Sequence, residues 1–208
     1  MRRPNVSLVR LRLHHLDSEE RDDFARALSD ADYIEACTED LQNILDVAAS
    51  GDVACLIAEP ILGVGGFAAP PDGLFGRFKE VLDKTGILFI SDEVQTGWGR
   101  TGENFWGYQA HGMTPDLMTF AKGLGNGLAI GGVVGRAEII DCFTANSIST
   151  FGGNPLATSG ALANLAYLEA EGLQANALTQ GNRFRDRMRA LQGSHPALGE
   201  VRGKGLMF

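Results

Sequence analysis

The sequence is poor in the features that mark several classes of protein. It has 3 cysteines and 4 histidines in 208 residues, widely scattered, which indicates neither a disulfide framework nor a zinc site. Arg2 and Arg3 precede no apolar signal segment, and no apolar run approaches membrane-spanning length. The net charge of −8 and the lack of basic runs argue against nucleic-acid binding. We therefore expect a cytoplasmic protein with no metal site, no membrane contact and no nucleic-acid partner.

The pattern of apolar segments predicts an α/β fold in which strands and helices alternate. We expect strands at 53–58, 86–92, 117–120 and 130–134, and helices at 17–28, 74–82, 155–169 and 173–191. Another helix should begin after Thr38 as its N-cap. Cys55 lies within the first apolar run, so we expect it to be buried as a small hydrophobic residue.

Two of these apolar runs end in a charged residue followed at once by glycine-rich chain. Asp92 ends one run and Lys122 ends the next. Open α/β sheets bind ligands at the carboxyl ends of their strands. Burial among apolar neighbours favours the neutral form of a lysine, which is the nucleophilic form. A lysine with an aspartate suits pyridoxal 5'-phosphate, because the lysine forms the Schiff base and the carboxylate keeps the pyridine nitrogen protonated.

A third segment predicts a phosphate site at the start of a helix. Pro155 fits a first helical position, and Asn154 can cap that helix. Thr150 adds a hydroxyl group nearby, next to backbone amides that point out of the helix start. Each of the three features is common when taken alone, whereas their combination in this order is specific.

Five motifs give the sequence a resemblance, from about Tyr33 to the end, to the class III aminotransferases. This family is a branch of the fold-type I pyridoxal-phosphate enzymes, whose large domain has a mostly parallel sheet flanked by helices. The motifs are Ala58-Glu59-Pro60-Ile61, Asp92-Glu93-Val94-Gln95-Thr96-Gly97, Ala121-Lys122-Gly123, Thr150-Phe151-Gly152-Gly153-Asn154-Pro155 and Arg202-Gly203-Lys204-Gly205-Leu206.

The resemblance implies both an activity and the residues that serve it. The activity is transfer of an amino group from an amino acid or ω-amine donor to a 2-oxo acid in a ping-pong reaction. Lys122 would bind the cofactor covalently, and Asp92 would pair with the pyridinium nitrogen. Gln95 would lie near the 3'-oxygen of the ring, and Glu59 would support the site without taking part in the chemistry. Thr150 would bind the phosphate of the neighbouring subunit's cofactor, which implies a homodimer.

The sequence also departs from the family. Residues 1–32 contain neither the expected phosphate-binding Ser/Gly-rich loop nor an aromatic residue to cover the ring. Residues 33–208 therefore resemble part of a large domain, with the small domain beginning near 198–208 and further sequence missing at both ends. Leu62 stands where several relatives carry glutamine, and Val64 stands where relatives acting on 4-aminobutyrate or ornithine carry glutamate. The absence of that glutamate favours the alanine–glyoxylate and ω-amino-acid:pyruvate subgroup.

Several alternatives remain open at the level of sequence. The chain could be a non-catalytic remnant of an aminotransferase, or it could use the same lysine–aspartate pair for racemisation or decarboxylation. Glu93 points away from Asp92 in extended chain, so it could make a purely structural pair. The glycine-rich run 63–68 resembles a dinucleotide-binding loop, but the prolines and glycine at 70–73 leave no helix to receive a pyrophosphate. We expect Trp98 and Trp106 to pack their loop or a subunit contact, and His111 to have no catalytic role.

Overall fold

A computed structural model describes residues 28–49, 51–145 and 148–208 of the chain. The described residues form two compact units. One contains the described part of the chain up to Leu56 together with Pro71–Phe89 and His111–Met113, and the other contains Ile57–Pro70, Ile90–Ala110 and the described residues from Thr114 to Phe208. The helix predicted at 17–28 lies, except for Leu28, outside the described residues.

The strands confirm the predicted alternation and the predicted sheet. They are β1 Cys55–Ala58, β2 Leu88–Asp92, β3 Leu117–Phe120 and β4 Gly132–Gly135. The strand order in the sheet is β1-β2-β3-β4. Strands β2 and β3 are parallel, and β4 is antiparallel to β3. The direction of the last strand therefore agrees with the family resemblance.

The helices confirm three of the predictions and correct one. They are α1 Asp30–Asn43, α2 Leu74–Thr85, α3 Ala137–Ile140, α4 Pro155–Ala170 and α5 Leu173–Gln192. The prediction that Thr38 caps a helix is wrong, because α1 begins eight residues earlier. Ser29 caps α1 by accepting a hydrogen bond from the backbone of Asp32 (3.2 Å), and Thr38 instead donates to the carbonyl of Ile34 within the helix (2.7 Å).

An aromatic cluster forms the core of the first unit. The ring of Phe75 lies 6.0 Å from that of Phe78 and 5.2 Å from that of Phe89, and Phe89 and Leu82 are fully buried. The ring of His111 packs 4.4 Å from that of Phe75 and is also buried. His111 therefore belongs to this core, although its position in a polar stretch of sequence did not indicate burial.

The prediction that Cys55 is buried is wrong. Cys55 is exposed, and Ile57 on the same face of β1 is 59% exposed. Strand β1 lies at one edge of the sheet order, and its alternating exposure shows that one of its faces is open. An apolar run of this length does not distinguish a central strand from an edge strand.

A buried carboxylate, Glu93, organises the loop that follows β2. Its side chain has no exposed surface and accepts hydrogen bonds from the backbone N–H groups of Gly107 and Tyr108, both at 2.8 Å. The hydroxyl groups of Ser91 and Thr96 also donate to it. Burial and, secondarily, the charge of Glu93 raise the pKa of the Tyr108 hydroxyl above its ordinary value. The structural interpretation of Glu93 is therefore confirmed.

The same loop is closed by aromatic side chains. The ring of Trp98 lies 4.5 Å from that of Trp106, and it meets the rings of Phe105 and Phe120 edge-on at 6.0 and 5.4 Å. Both tryptophans thus pack their own loop against the end of β3, as predicted. The described residues include no helix suited to crossing a membrane, and they bring together no group of acidic, histidine and cysteine side chains that could hold a metal.

We expect the three cysteines to differ sharply in reactivity. Cys37 is buried, and that burial raises the pKa of its thiol to about 11, so little of the nucleophilic thiolate exists near neutral pH. Cys55 and Cys142 are exposed. Brief alkylation of the folded chain at about pH 8, followed by peptide mass spectrometry, should modify Cys55 and Cys142 and spare Cys37. Labelling of Cys37 as fast as Cys142 without denaturant would contradict the described packing.

We expect Glu93→Ala to lower the free energy of unfolding by about 3 kcal/mol or more, because it leaves buried donors without an acceptor. Urea denaturation followed by circular dichroism measures the change. Glu169→Ala, on the exposed surface of α4, is the matched control and should stay within about 0.5 kcal/mol of the parent. Equal stability of the two variants would show that Glu93 does not anchor the loop.

Candidate active site

Asp92 and Lys122 lie at the same edge of the sheet. Asp92 is the last residue of β2, and its register partner on the parallel strand β3 is Thr119. Lys122 follows β3 after Ala121. The backbone N–H of Glu93 donates to the carbonyl of Thr119 at 2.9 Å, so the pairing continues past the end of β2. The structure therefore brings the predicted acid and the predicted nucleophile to neighbouring strand ends.

The surroundings of Lys122 differ from the sequence-based expectation. Its side chain is exposed, whereas the preceding apolar run predicted apolar neighbours around it. The run ends at Phe120, and a short 3-10 turn, Lys122–Leu124, carries the lysine out of the strand. Leu124, not Lys122, is the buried residue of that turn.

Backbone strain marks the loops that follow the strands. The four non-glycine residues with positive φ in the described chain are Phe67, Trp98, Lys122 and Asn126, with φ of 55°, 63°, 40° and 45°. Phe67 follows β1, Trp98 follows β2, and the other two follow β3. Such conformations cost roughly 1–3 kcal/mol each and cluster at functional sites. The strain therefore coincides with the region where the candidate residues lie.

The Asp92 side chain is held at the start of its loop. It is half-buried, and its Oδ1 accepts a hydrogen bond from the backbone N–H of Val94 at 3.1 Å. Glu93, the next residue, points into the buried hydrogen-bonded cluster described above. The two adjacent acids therefore have separate roles, with Glu93 holding the loop and Asp92 left at the strand end.

Gln95 is half-buried and rests against the loop that follows β1. A Cβ atom added to Gly63 would overlap the carboxamide of Gln95, lying 2.6 Å from its Cδ and 3.1 Å from its Oε1. The backbone N–H of Gly63 donates to Oε2 of Glu59 at 2.9 Å. The family resemblance implied a supporting role for Glu59, but the sequence did not indicate a role for Gly63. A glycine in a loop does not reveal which side chain packs against it.

Thr150 is exposed in the turn that precedes α4. Asn154 caps α4 by accepting a hydrogen bond from the backbone of Ala157 at 2.9 Å, and Pro155 takes the first helical position as predicted. The resemblance assigns Thr150 to the cofactor of a neighbouring subunit, a contact that a single chain does not test. Its role stays a prediction.

Asn164 links α4 to the turn that carries Lys122, and the sequence gave no indication of it. Its Nδ2 donates to the carbonyl oxygens of Gly123 and Leu124 at 2.8 and 3.1 Å. These bonds fix the backbone immediately after the strained Lys122 position. The middle of α4, the helix that begins at the predicted phosphate site, is thus attached to the turn that carries Lys122.

Comparison with known proteins places these features in one family. Residues 7–208 match the family described as Aminotransferase class-III, so the family match begins well before Tyr33, where the motifs had placed the start of the resemblance. The mitochondrial alanine–glyoxylate aminotransferase 2 homolog 2 of Arabidopsis thaliana is 42% identical over 175 residues, which are 84% of this chain and 36% of that protein. An alanine/serine racemase of Pyrococcus horikoshii is 40% identical over 157 residues, which are 76% of this chain and 33% of that protein.

A solved structure shows the same fold. The (S)-enantioselective omega-transaminase from Thermomicrobium roseum superposes with a TM-score of 0.80 at 39% identity, over 88% of this chain and 42% of that one. The chain thus spans less than half the length of each of these three relatives. With a family match across residues 7–208 and motifs that lie at the expected strand ends, the chain belongs to the class III aminotransferases.

Proposed function

We propose that this chain forms the cofactor-binding part of a transaminase, which moves an amino group from an amino acid or ω-amine donor to a 2-oxo acid with pyridoxal 5'-phosphate as cofactor. The observation that carries the proposal is the position of Asp92 and Lys122 at neighbouring ends of the parallel strands β2 and β3. Because the chain spans less than half of each relative named above, its activity, its substrates and its assembly as a homodimer are all part of this proposal.

The side chains at this edge of the sheet fit the cofactor chemically. Lys122 offers an exposed amine for covalent attachment. Asp92 offers a carboxylate whose Oδ1 is already oriented by a backbone N–H. The carboxamide of Gln95 is held against Gly63. When bound, pyridoxal phosphate supplies an electron sink for bonds at the Cα atom of an amino acid.

Each of these residues would have a separate role in the reaction. Lys122 Nζ would bind the cofactor covalently at rest and, when free, would accept the proton that leaves the donor's Cα and deliver it to the C4' position of the cofactor. Asp92 would keep the pyridine nitrogen protonated through a charge-assisted hydrogen bond. Gln95 would contact the 3'-oxygen of the ring, and Thr150 would bind phosphate in the neighbouring subunit.

Two other functions have an observation in their favour. The exposure of Ile148 and Phe151, 89% and 80%, on either side of Thr150 favours a non-catalytic remnant. The 40% identity to the racemase favours inversion at Cα with the same lysine and aspartate. A panel of amino donors separates these reactions, because transamination releases an oxo acid and racemisation releases the other enantiomer.

We expect the purified chain to form a specific covalent adduct with pyridoxal phosphate at Lys122. Its amine is exposed at the strand end, on a backbone fixed by Asn164. Visible absorption follows the adduct, and borohydride reduction followed by peptide mapping locates it. Lys122→Ala should abolish the adduct, whereas Lys84→Ala, which removes an exposed lysine of α2, should leave it unchanged. A folded sample that forms no specific adduct would contradict the proposal and favour the remnant.

We expect Asp92→Asn to keep the adduct at Lys122 but to slow its bleaching by an amino donor by roughly a hundredfold or more. Removing one preorganised charge interaction from a transition state costs about 2.7–4 kcal/mol. Stopped-flow absorbance measures the single half-reaction. Asp141→Asn changes an exposed acid just after α3 and is the matched control. Bleaching at the parent rate in Asp92→Asn would remove Asp92 from the site.

A further inference from the structure

The space around Gly63, and not a positive φ angle, explains why this residue is glycine. Its φ does not lie in the left-handed region, so its backbone conformation suits any residue. Its Cα atom instead faces the carboxamide of Gln95, at a position where a Cβ would lie 2.6 Å from Gln95 Cδ. Real Cβ atoms do not approach another carbon this closely, so a side chain on residue 63 requires something to move.

The group that would move is the end of a flexible side chain. The atoms nearest to an added Cβ all belong to the Gln95 carboxamide. A glutamine side chain turns about three single bonds, so a methyl group on residue 63 displaces the carboxamide at little cost to the fold. Gly63 therefore controls where this carboxamide rests without being essential for folding.

Glu59 holds Gly63 in this position. Its Oε2 accepts the backbone N–H of Gly63 at 2.9 Å, which closes the turn after β1. Val64, the next residue, is 96% exposed. The backbone of Gln95 is fixed as well, since Gln95 lies between the buried residues Glu93 and Thr96 in the sequence.

We propose that Glu59 and Gly63 form a platform that positions the Gln95 carboxamide in the active site. The platform comprises the Glu59 carboxylate, the backbone N–H of Gly63 and the bare Cα of Gly63. It deepens the proposed function and rests on it, because the carboxamide matters for catalysis through its contact with the cofactor ring. Glu59 and Gly63 are positioning residues in this scheme, since they act on the cofactor through Gln95.

The first test reads the carboxamide directly and needs no cofactor. In a nitrogen-15 correlation spectrum, the Gln95 side-chain NH₂ pair is the one that disappears in Gln95→Ala. Gly63→Ala should shift this pair, and Glu59→Ala should shift it in part or broaden it. Val64→Ala, the exposed neighbour, should leave it in place. An unmoved Gln95 pair in Gly63→Ala would overturn the platform whether or not the chain binds pyridoxal phosphate.

The second test is a double-mutant cycle on the lysine–cofactor adduct. Gly63→Ala and Gln95→Ala should each shift the pH midpoint of the adduct's visible absorption in the same direction. The double variant should match Gln95→Ala alone, because no carboxamide is left to displace. An added shift in the double variant would show that Gly63 acts independently of Gln95 and would overturn the proposal.

The two tests separate failure of the platform from failure of the proposed function. A parent chain that forms no adduct contradicts the transaminase proposal, and the spectrum of the Gln95 side chain then still decides whether the platform exists. An adduct whose pH midpoint is unchanged in both Gly63→Ala and Gln95→Ala supports cofactor binding but overturns the positioning role. Val64→Ala should behave as the parent in both measurements.

Discussion

The arrangement of the site depends on one buried carboxylate. Glu93 is fully enclosed, and two backbone N–H groups and two hydroxyl groups donate to it. A carboxylate without such partners would be too costly to bury, so the loop from Ser91 to Tyr108 must close around it. Because successive residues of extended chain point in opposite directions, burial of Glu93 also determines that Asp92 faces the other way.

The same closure explains how neighbouring loops become part of the site. Thr96 is held by Glu93, so Gln95 stands on a fixed backbone and its carboxamide can rest against Gly63. Trp98 and Trp106 also pack against Phe120, the last residue of β3, which lies two residues before Lys122. The loop after β2 therefore connects the loops after β1 and β3. The groups proposed to react are exposed or half-buried, while Glu93 and Thr96, which hold the loop after β2, are buried.

The sequence predicted the parts of this fold that follow from local pattern. Four strands, three helices and the Asn154–Pro155 helix start follow from apolar periodicity and capping preference, and they are confirmed. Cys55 and Thr38 were misassigned because an edge strand resembles a central one and a threonine can cap a helix or sit within it. The contacts of Gly63 with Gln95 and of Asn164 with Gly123 and Leu124 could not be predicted in detail, since they join residues 32, 41 and 40 positions apart.

The distribution of backbone strain distinguishes the candidate site residues from the residues that support them. Lys122 adopts a left-handed conformation that a lysine rarely takes, and Asn164 holds the carbonyl groups that follow it. Such a conformation persists only when the surrounding structure holds it, and Leu124 in the same turn and Glu93 in the neighbouring loop are buried. Changes to Glu93 or Leu124 should therefore alter stability, whereas changes to Lys122 or Asp92 should alter the proposed chemistry with little effect on folding. A site built in this way can change its chemistry while its fold stays the same, because the buried residues that hold it differ from the exposed residues proposed to react.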